Sequence, residues 1–350
     1  GMHGHPWGYW ISEMPEDVSK FVEASGKQIP PGTGITYPQF FKDTAGNLYL
    51  HARGSVPSFQ KSRPGKIVHI GLLSTYDADQ RTWRLLGDDI PRAFGGKRGH
   101  PVTLWGDDFD DGSTGAGWYV KNTASFVSAP DNTLYFSFNI LNFSPPNESL
   151  RTFTKSGGGG KDILYATSKD GGRTLQRNNG SQVKWPVRAE AGPYQPDVIY
   201  AAAEAYASMK KGDEFSGLTG GQIELDWKNR PIIWLYKKIT NEVVAVRLEE
   251  GKWVSCPKEA FGTWRDNAGV LMNPIEGKGG KSQLLRLWDE NHSRVVDFGP
   301  EIRDLDEDYL RDTGTMIYTT TIHRSRNVNV MRTTIQRPTP PKGNPPANTQ

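Results

Sequence analysis

Ser168-Lys169-Asp170-Gly171-Gly172-Arg173-Thr174-Leu175 reads as a tight turn between two β-strands. It fits the Asp-box pattern, S-x-D-x-G-x-T closed by an aliphatic or aromatic residue. The pattern has a local cause: the Asp170 carboxylate can accept from the amides of the turn, and Gly172 tolerates a positive φ. Leu175 then plugs the space between strands. Such a turn is structural, and no catalysis is assigned to it.

Two further phrases repeat this plan of strand, turn and apolar closing residue. One runs from Leu73 through Tyr76 and Asp77 to Trp83, the other from Val243 through Val246 to Trp253. Alternating with them is an acidic turn that leads into a short strand. Its copies begin at Asp43, Asp131 and Asp226, and lead to Leu48-Tyr49-Leu50, Leu134-Tyr135-Phe136 and Ile232-Ile233-Trp234. One cycle of the two phrases takes about ninety residues. Each cycle is expected to form one small antiparallel sheet with turns built by Asp, Asn and Gly. Repeated sheets of this kind close radially as a β-propeller, which hides their edges. A β-sandwich with similar turns is the alternative. The expected class is all-β, a propeller domain over residues 1–335 followed by an extended Pro- and Asn-rich tail over 336–350. Tyr200 to Lys211 is the one convincing helical run and is read as part of a loop insertion.

Composition narrows the function classes. The 350 residues include 11 Trp, 13 Tyr and 14 Phe, and their 23% charged residues form no block of one sign, which argues against disorder. No apolar run approaches the roughly 18 residues that span a bilayer. The single cysteine, Cys256, excludes an internal disulfide framework and a cysteine-based zinc site. With 42 basic and 39 acidic residues the net charge is +3, too balanced for a nucleic-acid protein, though a local basic groove remains open. The opening Gly1-Met2-His3-Gly4-His5 shows no signal peptide.

Thr36-Tyr37-Pro38-Gln39-Phe40-Phe41-Lys42-Asp43, running on to Leu48-Tyr49-Leu50-His51-Ala52-Arg53-Gly54, carries a family resemblance. It resembles the Y-P-x-F … G-x-L-Y-x-x-x-R-G signature of the BNR-repeat propeller family that includes ulvan-type polysaccharide lyases. Tyr76-Asp77, Arg81-Thr82-Trp83-Arg84, Leu85-Leu86-Gly87, Leu287-Trp288, Phe298-Gly299-Pro300 and Asp306-Glu307-Asp308-Tyr309 resemble that family too. The likeness covers most of residues 1–335 and is strongest in the first 180. It implies a seven-bladed propeller, extracellular or periplasmic, acting on a polysaccharide that contains uronic acid. A monomer is expected, with an anionic polysaccharide or oligosaccharide as its partner.

In the lyase members an Arg sixteen residues after the Tyr of this phrase engages the uronate carboxylate; Tyr37 and Arg53 have that spacing. The family's upstream phrase H-x-x-P-L-x-Y is resembled by His3-Gly4-His5-Pro6-Trp7-Gly8-Tyr9, with His3 the better match and His5 the spare. At roughly 40–50 residues per blade the length suits seven blades. The long loops leave five to six after a partial first, so strands upstream of His3 are expected to be missing.

The chemistry has its own logic. β-Elimination from a uronate removes a weakly acidic proton next to a carboxylate, and a cation on that carboxylate stabilises the enolate-like charge of the transition state. Arginine suits the task, being planar, always charged and able to bind bidentately. A Tyr or His within hydrogen-bond reach then removes the proton or protonates the leaving oxygen. The assignment is Arg53 as carboxylate clamp, Tyr37 as general acid or base and His3 as partner base or charge neutraliser. His5, His100, Trp118 and Tyr206 are candidate substrate contacts. The mechanism requires no cofactor. No metal site is assigned, because two histidines lack a third ligand and Asp107, Asp108, Asp110 and Asp111 read as an acidic turn rather than a calcium loop.

Plainer readings stand beside these. Tyr37 is also suited to strand-start packing, Arg53 to a surface pair, and His3 and His5 to an inert terminus. A sialidase-like glycoside hydrolase would use an arginine cluster, with Arg53, Arg230 and Glu204 available. A non-catalytic carbohydrate-binding propeller is the third reading, since one fold hosts many functions.

Overall fold

Short strands separated by Asp-, Asn- and Gly-rich turns fold here as antiparallel meanders. The computed structural model describes residues 8–14, 17, 19–32, 35–57, 67–86, 104, 123–143, 160–188, 191–201, 219–226, 228–237, 242–256, 264–265, 271–276, 283–288, 293–299, 302, 304–321 and 328–334. Strands β1 (Trp10–Ser12) and β2 (Phe21–Glu23) pair as a hairpin. The first sheet follows in chain order: β3 (Thr36–Lys42), β4 (Leu48–Pro57), β5 (Ile67–Asp77) and β6 (Thr82–Leu85). The second holds β7 (Thr123–Ser128), β8 (Leu134–Phe143), β9 (Gly160–Ser168), β10 (Leu175–Gln176) and β11 (Gln182–Val183). Its β12 (Asp197–Tyr200) shares the outer edge of β9 with β10.

The third sheet is β13 (Thr219–Leu225), β14 (Pro231–Lys237), β15 (Glu242–Glu249) and β16 (Lys252–Cys256). The fourth is β17 (Trp264–Arg265), β18 (Leu271–Glu276), β19 (Gln283–Trp288) and β20 (Ser293–Gly299). The fifth is three-stranded: β21 (Asp304–Leu305), β22 (Thr315–Thr321) and β23 (Val328–Thr334). The architecture is all-β, with almost no helix among the described residues.

The two sequence phrases are the two tight turns of each of the first three sheets. The acidic phrase joins the first strand to the second, and the Asp-box-like phrase joins the third to the fourth. In the acidic turns a left-handed residue closes the loop: Gly46 (φ 84°), Asn132 (φ 63°) and Asn229 (φ 59°). Their amides donate to the carbonyls of Asp43, Ala129 and Asp226 at 3.0, 2.9 and 2.9 Å. This corrects one alignment. Asp131 is not the counterpart of Asp43 and Asp226; Ala129 is, and Asp131 caps Thr133 N from two residues further on, at 3.0 Å.

At the Asp box, Ser168 Oγ donates to Asp170 Oδ1 at 2.7 Å and accepts from Gly172 N at 2.8 Å. Asp170 also receives the Thr174 amide at 2.9 Å and hydroxyl at 2.7 Å. Burial pushes the Asp170 carboxyl upward, but these donors outweigh it and hold the group below its ordinary range. Leu175 is fully buried as the plug.

Two compact units make up the chain: Gly1–Leu225 with Arg230–Lys258, and Asp226–Asn229 with Glu259–Gln350. In the first unit the second sheet is buried on both faces, because successive residues of a strand point to opposite sides. Leu164 and Ala166 of β9 join Phe136, Phe138 and Leu175 against Tyr49, Leu73 and Leu86 of the first sheet. Ile163 and Tyr165, the alternate residues, pack with Ile223, Ile233 and Leu235 of the third. Each large side chain buried in this way contributes about 1.5–3 kcal/mol. Polar ties set the alignment of the sheets. Thr44 N donates to Ser128 Oγ at 3.1 Å, and Ile223 N to Ser125 Oγ at 3.1 Å.

The second unit contains the fourth and fifth sheets and α1 (Glu307–Thr313). Asp306 caps the helix by accepting Tyr309 N at 2.9 Å, and Gly314 ends it at φ 70°. Sequence reading passed this helix over, since seven residues give little room for a 3.6-residue period. Most of the helical run expected over 200–211, and the tail over 336–350, lie outside the described residues.

Candidate functional site

A meander places its connections at two ends. The tight turns after the first and third strands share one end. The chain leaves the second strand, and later the sheet, from the other. Tyr37 is the second residue of β3 and Arg53 lies past the middle of β4, so both stand toward that second end.

There the register breaks. Thr36 pairs with Arg53 and Gln39 with His51, so Tyr37 and Pro38 together oppose the single residue Ala52. This is a β-bulge, a device that re-aims side chains. Tyr37 takes φ 54°, a left-handed value that a non-glycine residue adopts at a cost of about 1–3 kcal/mol. The third sheet repeats the sequence pattern and the irregularity. Thr219 pairs with Tyr236, Gly220 with Leu235 and Gln222 with Trp234, so the extra residue is Gly221. There the left-handed residue is Gly221, at φ 89°. The left-handed residue of the third-sheet bulge thus stands one place later than Tyr37 does in the first, and it is a glycine where the first sheet strains an aromatic residue.

The bulge brings Tyr37 under Arg53. The guanidinium carbon stands 4.7 Å from the Tyr37 ring centroid, a cation–π distance. Arg53 Nε donates to Thr36 Oγ1 at 2.8 Å. Arg53 is 3% exposed and Thr36 2%, whereas Tyr37 is 37% exposed. The group therefore joins a desolvated cation to a phenol that reaches solvent. A carboxylate reaching that cation meets a stronger field than in water.

His51 lies two residues before Arg53 on the same face, with its ring 5.1 Å from Phe126 of the second sheet. Burial pushes its pKa down to about 3, so the ring is neutral at ordinary pH. Asp162 was missed by sequence reasoning. It is a buried carboxylate at the start of β9, on the face that Leu164 and Ala166 turn to the first sheet. The one available signal was a charged residue opening the run Ile163-Leu164-Tyr165-Ala166, which is apolar on both faces.

The structure brings Tyr37 and Arg53 together. His3, His5, His100, Trp118 and Tyr206 lie outside the described residues, as does Glu204. Arg230 does not join Arg53: it follows the tight turn of the third sheet and pairs with Glu249 Oε1 at 3.4 Å, beside Arg247 on the same carboxylate. Among the described residues no His, Cys, Asp and Glu group is arranged to hold a metal ion. No helix among them is long and apolar enough to cross a membrane.

Antiparallel meanders in succession, with an Asp-box turn in the second, define an all-β repeat protein. The chain belongs to the BNR repeat-containing family, whose model matches residues 1–267. No curated protein matches it. Among solved structures it is similar to a Dyadobacter fermentans protein of unknown function, at 10% identity and a TM-score of 0.36, over 83% of this chain and 74% of that one. It is also similar to an endo-1,5-α-L-arabinanase from Thermotoga petrophila, at 11% identity and a TM-score of 0.29, over 82% and 81%. Neither likeness is close enough to bear on function.

Proposed function

We propose that this protein is a carbohydrate-active β-propeller that cleaves a uronic-acid-containing polysaccharide by β-elimination. Membership of the BNR repeat-containing family supports the broader half of this reading. The observation that carries the finer half is the Arg53 guanidinium, tied to Thr36 and stacked on Tyr37.

In this mechanism Arg53 takes the uronate carboxylate and stabilises the charge that builds when the neighbouring C–H proton leaves. The electron pair of that bond forms the new double bond and expels the β-oxygen of the glycosidic link. Tyr37 transfers a proton at one of these two positions, and His3 either transfers the proton at the other, as base or acid accordingly, or neutralises the developing charge. Each such group contributes roughly 10²–10⁴-fold. His5, His100, Trp118 and Tyr206 extend the sugar-binding surface. The reading includes radial closure of the sheets, a single domain over residues 1–335, a monomer and an extracellular or periplasmic setting. A sialidase-like reading would require several arginines on one carboxylate, and the engagement of Arg230 with Glu249 works against it.

Product chemistry tests the proposal. Incubation with ulvan, alginate, pectin, glycosaminoglycan and sialoside substrates should release an ultraviolet-absorbing unsaturated uronate from one of the uronate polymers. Reducing ends without that chromophore would move the protein to the hydrolases. Binding without either product would make it a recognition module.

A further inference from the structure

We infer that Thr36 is a positioning residue, whose hydroxyl sets the plane of the Arg53 guanidinium above the Tyr37 ring. The inference rests on the proposed use of Arg53 for its catalytic consequence, but its geometric content stands alone. An arginine side chain has four rotatable bonds and, without a fixed partner, spreads its charge over many orientations. Stacking on a ring limits the distance of the guanidinium from Tyr37, and a hydrogen bond at Nε adds a constraint within the guanidinium plane. The Nε–Oγ1 distance of 2.8 Å supplies the bond, and both residues are almost fully buried, so bulk water does not compete for it.

The backbone places Thr36 for this task. It is directly opposite Arg53 in the register, and the bulge begins at the next residue. In the third sheet Thr219 is opposite Tyr236, and the paired residue Gly220 separates it from the extra residue Gly221, so a threonine opposite an arginine at the start of the bulge distinguishes the first sheet from the third. The role assigned to Thr36 is carried by its hydroxyl, not by its β-branched shape.

Thr36→Val keeps the shape and removes the acceptor; Thr36→Ser keeps the acceptor. Two readouts separate this inference from the functional proposal. The first needs no substrate: the Nε–H resonance of Arg53, assigned by its loss in Arg53→Lys, should exchange slowly with water in the wild type and in Thr36→Ser, and rapidly in Thr36→Val. The second is turnover of a uronate polymer, where Thr36→Val should lower kcat about 10- to 100-fold with a smaller change in KM, and Thr36→Ser should restore it. Slow exchange in Thr36→Val overturns the inference, as does wild-type turnover by that variant. If the wild type turns over no uronate but exchange follows the expected order, the positioning role stands and the lyase reading fails.

Discussion

The hydroxyl of Tyr49 lies against Gly171 of the Asp box, so closely that a Cβ at position 171 would come within 2.7 Å of it. The same hydroxyl donates to Asp43 Oδ2 at 3.2 Å. Burial, then the Asp43 carboxylate, pushes the phenol's pKa well up, so it remains a donor. One tyrosine thereby joins the acidic turn of the first sheet to the Asp box of the second. Gly171→Ala should lower stability by about 1–3 kcal/mol, from its left-handed φ of 68° and from this contact. Tyr49→Phe in the same chain should relieve the contact but not the φ, so denaturant unfolding of the double variant should show less than the sum of the two losses. Full additivity would mean that the two residues do not meet.

Leu175 closes the Asp box from inside the core. Leu175→Ala should cost about 2–5 kcal/mol, the range for removing a buried leucine. A midpoint of thermal unfolding equal to the wild type would show that the plug is dispensable.

His51 should make the protein acid-sensitive. Its pKa falls from 6.5 to about 3 on folding, so below pH 6.5 the unfolded chain takes up a proton that the folded chain does not. Stability should therefore drop as pH falls from 6.5 toward 3, by at most about 1.4 kcal/mol per pH unit from this residue. His51→Leu should flatten that part of the curve. Asp170 adds a separate acid-side loss. Its carboxyl is held below its ordinary value of 3.8, so its contribution is present above that value and disappears as pH falls through the lowered one. An unchanged slope between pH 6 and 4 in His51→Leu would contradict the assignment.

Tyr37 should show a conflict between stability and activity. Tyr37→Gly removes the strain of a left-handed tyrosine and should unfold no earlier than the wild type, while losing turnover. Tyr37→Phe keeps the ring beneath Arg53 and should fold normally, but without the hydroxyl it should lose roughly 10²-fold or more in kcat. Equal turnover in Tyr37→Phe and wild type would remove Tyr37 from the chemistry.

Much of the fold was legible because its turns are chemically marked. Asp43, Gly46, Asp226, Asn229 and the Asp box announce the hairpins, and strand alternation does the rest. The misaligned Asp131 shows the limit: turn position depends on which residue takes the left-handed φ, here Asn132, and a one-letter match to aspartate does not report it. The helix Glu307–Thr313 escaped because its signal lies in its caps, Asp306 and Gly314, rather than in periodicity. At the site, the Tyr37 and Arg53 spacing was readable only through a family resemblance. The residues that shape it were not, because the bulge that turns Tyr37 under Arg53 and sets Thr36 opposite leaves no periodic trace. Asp162 becomes conspicuous only once both faces of β9 are known to be buried.

The most direct test compares wild type, Arg53→Lys and Arg53→Ala for release of the unsaturated uronate chromophore, with near-ultraviolet circular dichroism confirming that each is folded. The account predicts chromophore from the wild type, a loss of about 10²-fold or more in Arg53→Ala, and incomplete recovery in Arg53→Lys, which restores charge without the planar fork. Wild-type release of the chromophore by folded Arg53→Ala would contradict it.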